Sequence, residues 1–207
     1  MAVLLLVSQL VLPGVAERRL RDRLERNGTV ERVDVRAFPA LQLLWGRADR
    51  VVVRMREGRA GAGRFADLLA DTRDVDRLDA VVRGARILTL RVRELRLRKR
   101  GRMLEGSAAV SDAELRAALP PGFDVRPIAS RTGVLVFEGR AVLLGRHLRG
   151  QAVVAARNGD IVLAPNVVFG GFLTLTVFQD PRIEALSVGA RPRRDGFVLT
   201  ARARLRE

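Results

Sequence analysis

The side chains whose type and spacing could do chemistry here are arginines. From Arg86 to Arg100, Ile87, Leu88, Leu90, Val92, Leu95 and Leu97 are interleaved with Arg91, Arg93, Glu94, Arg96, Arg98, Lys99 and Arg100. That is the pattern of a strand with one apolar and one charged face. Guanidinium groups presented in a row bind oxyanions through charge-assisted hydrogen bonds, so the chemistry this stretch offers is anion recognition. The apolar phase slips between Val92 and Leu95, where Arg93 and Glu94 fall together, which predicts a β-bulge that bends the strand. Catalytic chemistry finds little material by comparison. The chain has no Cys and no Tyr, a single histidine at His147, and no Gly-x-Ser-x-Gly elbow. His147 lies in a predicted strand between Arg146 and Leu148, a structural or surface position, and no carboxylate pair stands out for glycoside chemistry. The sequence is read as non-enzymatic, with no catalytic residues and no cofactor. Without cysteines or a second histidine there is no thiolate or histidine-cluster metal site.

The bulk numbers agree with a folded, anion-seeking chain. Its 207 residues, 48% of them hydrophobic, suffice for a sizeable core. Thirty-seven arginines and one lysine stand against 23 acids, a formal charge of +15, which points to nucleic acid or anionic lipid head groups as partners. Part of the arginine excess fits GC-rich coding. Nucleic acid is the weaker reading, because the arginines alternate with apolar residues instead of clustering in an arm, and one Trp offers few stacking platforms. A structural, partner-binding protein is a further alternative.

Ala2 to Leu12 is nearly all apolar, broken only by Ser8 and Gln9, and ends at Pro13-Gly14-Val15-Ala16. At about 11 residues it is too short to span a bilayer, which takes ~20, but it has the length of a signal-peptide apolar region. Residues 1–15 are therefore read as a truncated signal or membrane-anchor-like segment, and 16–207 as one domain. Export is the expectation, with the alternative an ordinary buried helix start.

The elements that must position the arginines follow from periodicity. Glu17 to Asn27 reads as a helix, continuing from the apolar segment, with Ala16, Leu20 and Leu24 in line and Asn27-Gly28 as the stop. Val30 to Ala37 alternates as a strand that Phe38-Pro39 ends, Ala40 to Trp45 is an apolar helical turn, and Arg50 to Arg56 is a second strand. Gly58, Gly61 and Gly63 mark a loop without the context of a phosphate-binding loop. Phe65 to Val82, with its acid-rich Asp71 to Asp79 run, reads as a connector. After the basic strand, Met103 to Val110 alternates, and Ser111 with Glu114 forms a capping box for a helix through Leu119, stopped by Pro120-Pro121. Strands are predicted at Asp124–Ser130, Gly133–Leu144, His147–Ala156, Ile161–Pro165, Phe172–Phe178, Ile183–Ala190 and Phe197–Leu205, with hairpin signals at Asn158-Gly159 and Asp195-Gly196. A few helices with nine or ten short strands give an α+β class dominated by antiparallel sheet.

The apolar N-terminal segment, Ala16-Glu17-Arg18, and the run Phe38-Pro39-Ala40-Leu41-Gln42-Leu43-Leu44-Trp45-Gly46-Arg47 before a Val-rich strand resemble the actinobacterial LmeA-like phospholipid-binding family. So do the Ser111-Asp112-Ala113-Glu114-Leu115 helix start, the Asn158-Gly159 hairpin and the closing Asp195-Gly196-Phe197-Val198-Leu199-Thr200. The resemblance implies a membrane-associated protein of the extracytoplasmic envelope that binds phospholipid. It also implies a strongly curved antiparallel sheet wrapping the N-terminal helix around an apolar groove, as in tubular lipid-binding domains. On that reading acyl chains would lie on Phe38, Leu41, Leu44, Trp45, Leu90 and Val92, each of which has a plain core role as its alternative. An anionic phosphate would meet Arg96, Arg98, Lys99, Arg100 and Arg102, each of which is otherwise a solvated strand residue. The acidic Asp67 to Asp79 stretch departs from what the family leads one to expect.

Overall fold

The computed structural model describes residues 2–26, 28–45, 47–60, 74–87, 90–119, 123–131, 133–143, 146–166 and 175–206. It opens with helix α1, Ala2–Glu25, which runs unbroken through Pro13. Strands β1 (Gly28–Arg36), β2 (Ala48–Ala60), β3 (Val75–Ile87), β4 (Leu90–Arg100) and β5 (Met103–Ser111) follow, then helix α2 (Asp112–Ala118). The chain continues through β6 (Phe123–Arg131), β7 (Val134–Leu143), β8 (Arg146–Arg157), β9 (Asp160–Asn166) and β10 (Leu175–Phe178). It closes with β11 (Ile183–Arg193) and β12 (Gly196–Leu205).

The strands form two sheets, one of order β1-β2-β3-β4-β5-β12-β11 and one of order β10-β9-β8-β7-β6. The α+β expectation holds, with one parallel pair, β2 with β3, in an otherwise antiparallel set. The described residues form twelve strands where nine or ten were expected, and the acid-rich stretch hides one of the difference. Val75 onward is β3, not connector, and its Asp79 lies on the charged face while Leu78, Ala80 and Val82 join the core. Residues 65–73 of that connector lie outside the described residues, as do Gly61, Gly63, Leu88 and residues 172–174. Gly58 belongs to β2 rather than to a loop, and Arg86 and Ile87 end β3 instead of starting the basic strand.

One face of the seven-stranded sheet packs on α1. Ala16, Leu20 and Leu24 meet Val33 and Val35 of β1, Val51, Val53 and Met55 of β2, and Leu78, Leu97 and Leu104 beyond. Glu17 of α1 accepts the Val35 N–H at 3.0 Å, fixing the helix against the end of β1. A second cluster, Ala85, Val92, Val110 and Phe197, takes in Leu115 of α2. The capping box that starts α2 is complete: Ser111 Oγ accepts the Glu114 N–H at 3.2 Å and Glu114 Oε2 accepts the Ser111 N–H at 3.0 Å.

The phase slip in β4 is part of a larger feature, not the bulge expected of one strand. In four neighbouring strands the apolar pattern steps by three beside the row Val30, Met55, Val82 and Leu95: Met55 to Gly58, Val82 to Ala85 and Leu95 to Val92 on one side of it, Val30 to Val33 on the other. The partners pass from Arg83↔Glu94 to Ala85↔Val92, and from Met55↔Val82 to Gly58↔Ala85, with no net change of register. Gly84, at φ 66°, supplies the left-handed turn of backbone this needs. The residues skipped in β1 and β2, Glu31 and Arg56, pair at 3.0 Å. A crease thus crosses four strands, and because each strand gives up one residue there, the ladder resumes in step. By contrast β11 shows an ordinary bulge at Leu186, between Ala185↔Ala203 and Ser187↔Arg202.

Candidate functional site

Cross-strand partners project from the same face of a sheet, so the register assembles the charged face row by row. The outermost row joins Arg36, Arg50, Arg77, Arg100, Met103 and Arg204. The next inward joins Asp34, Val52, Asp79, Arg98, Glu105, Arg202 and Ser187. A third joins Arg32, Arg54, Val81, Arg96, Ser107, Thr200 and Gly189. The acids of the middle row tie the cations around them. Asp79 reaches Arg100 at 3.2 Å, Arg50 at 3.5 Å and Arg98 at 3.9 Å, while Asp34 reaches Arg36 at 3.1 Å and Arg32 at 3.3 Å.

A cleft of about 630 Å³ opens on this face over β4, β5, β12 and β11. Among the described residues four arginines stand around it, Arg96 and Arg98 from β4, Arg202 from β12 and Arg191 from β11, with Glu105 as the one acid. Its floor is made of small residues, including Gly106, Ser107, Gly189, Ala190, Thr200 and Ala201. Gly133, between β6 and β7, forms a wall so close that a Cβ on it would meet the Ser187 Cβ at 3.6 Å. Small side chains keep the sheet surface low there, and the long arginines rise around it.

The arginines are held lightly. Arg96 pairs with Glu94 at 2.6 Å, Arg98 with Asp79, and Arg202 with Glu105 at 3.2 Å, each through an arginine side chain more than half exposed. Exposed pairs of this kind contribute about 0–1 kcal/mol, so exchanging a carboxylate for another oxyanion costs little. Arg191 makes no ion pair among the described residues.

The structure separates the residues nominated from sequence. Arg96 and Arg98 share the cleft. Arg100 lies one row out, tied to Asp79 and to the Lys99 carbonyl oxygen at 2.9 Å. Arg102 lies past the end of β4 and donates from Nε to the Leu205 carbonyl at 3.1 Å. Lys99 points to the opposite face, is 1% exposed, and donates from Nζ to the Val75 carbonyl oxygen. Burial pushes its ammonium below the usual lysine value, with Asp76 and Asp74 opposing.

The nominated apolar residues also part company. Val92 is sealed in the core beside Ala85 and Phe197, Leu90 packs against the same cluster, and Phe38 is 79% exposed. Leu41, Leu44 and Trp45 belong to the 3-10 turn Ala40–Trp45, and their side chains lie outside what is described. Arg191, Arg202 and Glu105 escaped the sequence reading. The alternation of Arg202 and Arg204 showed a charged strand face, but nothing local says that β12 lies against β5.

Among the described residues no three His, Asp or Glu side chains gather to hold a metal ion. Fold and site together define an α+β sheet protein whose cleft is cationic and floored by small residues. The chain belongs to the LmeA-like phospholipid-binding family, whose model matches residues 7–205. No match is found among curated proteins or among solved structures.

Proposed function

We propose that this protein binds anionic phospholipid without chemical turnover, the phosphate held in the cleft by Arg96, Arg98, Arg191 and Arg202. The observation that carries the reading is the convergence of four arginines, three of them lightly paired, on a floor of small residues. Guanidinium forks match the geometry of a phosphate, and charge-assisted bonds to it are about twice as strong as neutral ones. Lys99, by contrast, serves the fold. Family membership supports the phospholipid partner, and the apolar segment Ala2 to Leu12 supports a place in the extracytoplasmic envelope, at the membrane.

The test is titration with soluble short-chain phosphatidylglycerol and phosphatidylcholine, with duplex DNA as competitor. Preference for the anionic lipid that survives DNA supports the reading. Displacement by DNA, or equal affinity for both lipids, overturns it. Transfer between vesicles of labelled anionic lipid then asks whether binding serves carriage.

A further inference from the structure

We propose that the end of the large sheet carrying Phe38 is the surface by which the protein docks on an anionic bilayer, with Phe38 entering the interface. The proposal rests on the phospholipid reading above, but concerns a different part of the molecule from the cleft.

Phe38 is 79% exposed, against 58% for Val177 and 42% for Ile128. Its exposure is imposed by the backbone. The Phe38 N–H donates to Asp49 Oδ2 at 2.7 Å, and its carbonyl accepts Gln42 Nε2 at 3.3 Å. The turn that follows is closed by Gln42 N–H to the Pro39 carbonyl and Arg47 N–H to the Gln42 carbonyl, each at 3.1 Å. A loose loop would fold an aromatic ring back onto the protein; this corner is pinned on both sides and holds it out.

Two further observations converge on the same end. Immediately inside Phe38 runs the outermost row of the sheet, where Arg36, Arg50, Arg77 and Arg100 lie side by side and lead to Met103, itself 40% exposed. Asp34 and Asp79 behind that row brace the arginines without matching their number. The second is the course of α1. Leu24 lies in the core near the start of β1, and Glu17 is bonded to Val35 at its end. Residues before Glu17 therefore run on past the sheet toward Phe38, where α1 packs against the 3-10 turn. The apolar half of the helix, Ala2 to Leu12, thus projects from the end that carries the exposed ring and the arginine row. An apolar tip backed by a band of cations matches an anionic bilayer, whose phosphates lie outside its hydrocarbon.

The absence of cysteine from the chain makes the test clean. An environment-sensitive dye is attached to the Phe38→Cys variant and, as a control, to Arg194→Cys, in the β11–β12 turn at the opposite end of the sheet. Full-length proteins are mixed with phosphatidylglycerol vesicles, and the Phe38→Ser variant is compared with wild type on vesicles and on soluble short-chain phosphatidylglycerol. The expected result is a blue-shifted dye at position 38, quenched by spin-labelled lipid, and an unshifted dye at 194. Phe38→Ser should bind vesicles about tenfold more weakly and short-chain lipid as wild type does. A dye at 38 that stays in water while vesicles and short-chain lipid bind overturns the docking surface alone. A buried dye with no short-chain binding overturns the cleft and leaves the docking surface standing. Binding to neither lipid form overturns both.

Discussion

Arg98 of β4 and Arg202 of β12 stand on either side of Glu105 in one row of the sheet, each its register partner. Among the described residues Glu105 is the only acid in the cleft, and it pairs with Arg202 at 3.2 Å. It is thus a built-in competitor for any anion that enters. Glu105→Gln should tighten binding of a soluble anionic lipid by about three- to tenfold, since it removes one opposing charge at contact distance. Calorimetric titration at two salt concentrations reads this; an unchanged affinity would place the anion elsewhere.

Lys99 gives an unusually isolated alkaline titration. The chain has no other lysine, no tyrosine and no cysteine, so above about pH 8.5 and below arginine's range, Lys99 is the only side chain that titrates. Its value is lowered in the fold by burial. Between that lowered value and the ordinary lysine value of about 10.4, the unfolded chain holds more protons than the folded one, so stability rises with pH. Denaturant midpoints measured across this window should climb for wild type and stay flat for Lys99→Met. A wild-type profile as flat as the variant's would show that burial does not perturb Lys99.

At the acid end the sign is the same: stability again rises with pH. Asp180, 9% exposed, takes Arg182 Nε at 3.0 Å and its η2 nitrogen at 2.8 Å, and accepts the Arg182 N–H at 2.8 Å. The hydrogen bonds from Arg182 hold its carboxyl below the usual range despite burial. Stability from this group is present above the unfolded value of about 3.9 and is lost as pH falls through the lower folded value. Asp180→Asn should cost about 1.5–3 kcal/mol near neutrality and make the protein less sensitive to acid below about pH 4, as urea unfolding at stepped pH would register.

The α2 cap allows a local test. Ser111→Ala removes the oxygen that accepts the Glu114 N–H and should cost about 1 kcal/mol. Thermal unfolding should show the loss, while affinity for short-chain lipid should not move, because α2 does not line the cleft.

Much of this architecture is legible in the sequence where the cause is local. Ser111 and Glu114 announce the helix start, and Asn158-Gly159, with φ 53° and 88°, turns as its residue types require. The three-residue step from Val92 to Leu95 marked an irregularity at the right place. Its form was hidden, because a compensated crease needs Glu31, Arg56 and Gly84 from strands whose alignment no local pattern specifies. The acidic run obscured β3 for a related reason. Asp79 makes sense in a strand only once Arg50, Arg98 and Arg100 surround it. The site divides along the same line. Arg96 and Arg98 were found from alternation within one strand, whereas Arg191 and Arg202 join them only through the β5–β12 and β12–β11 pairings. Phe38 was read as lining because it is aromatic beside an apolar turn, yet the bond from its N–H to Asp49 and the bond from Gln42 to its carbonyl hold it in solvent.

The most direct test of the account is titration of wild type and the Arg191→Glu, Arg202→Glu double variant with soluble short-chain phosphatidylglycerol, with folding checked by thermal unfolding. If the cleft holds the phosphate, the double variant remains folded and binds at least about tenfold more weakly, as expected for losing a charge-assisted hydrogen bond. It should also lose most of its preference over phosphatidylcholine. A folded double variant that binds the anionic lipid as wild type does would contradict the assignment of the cleft.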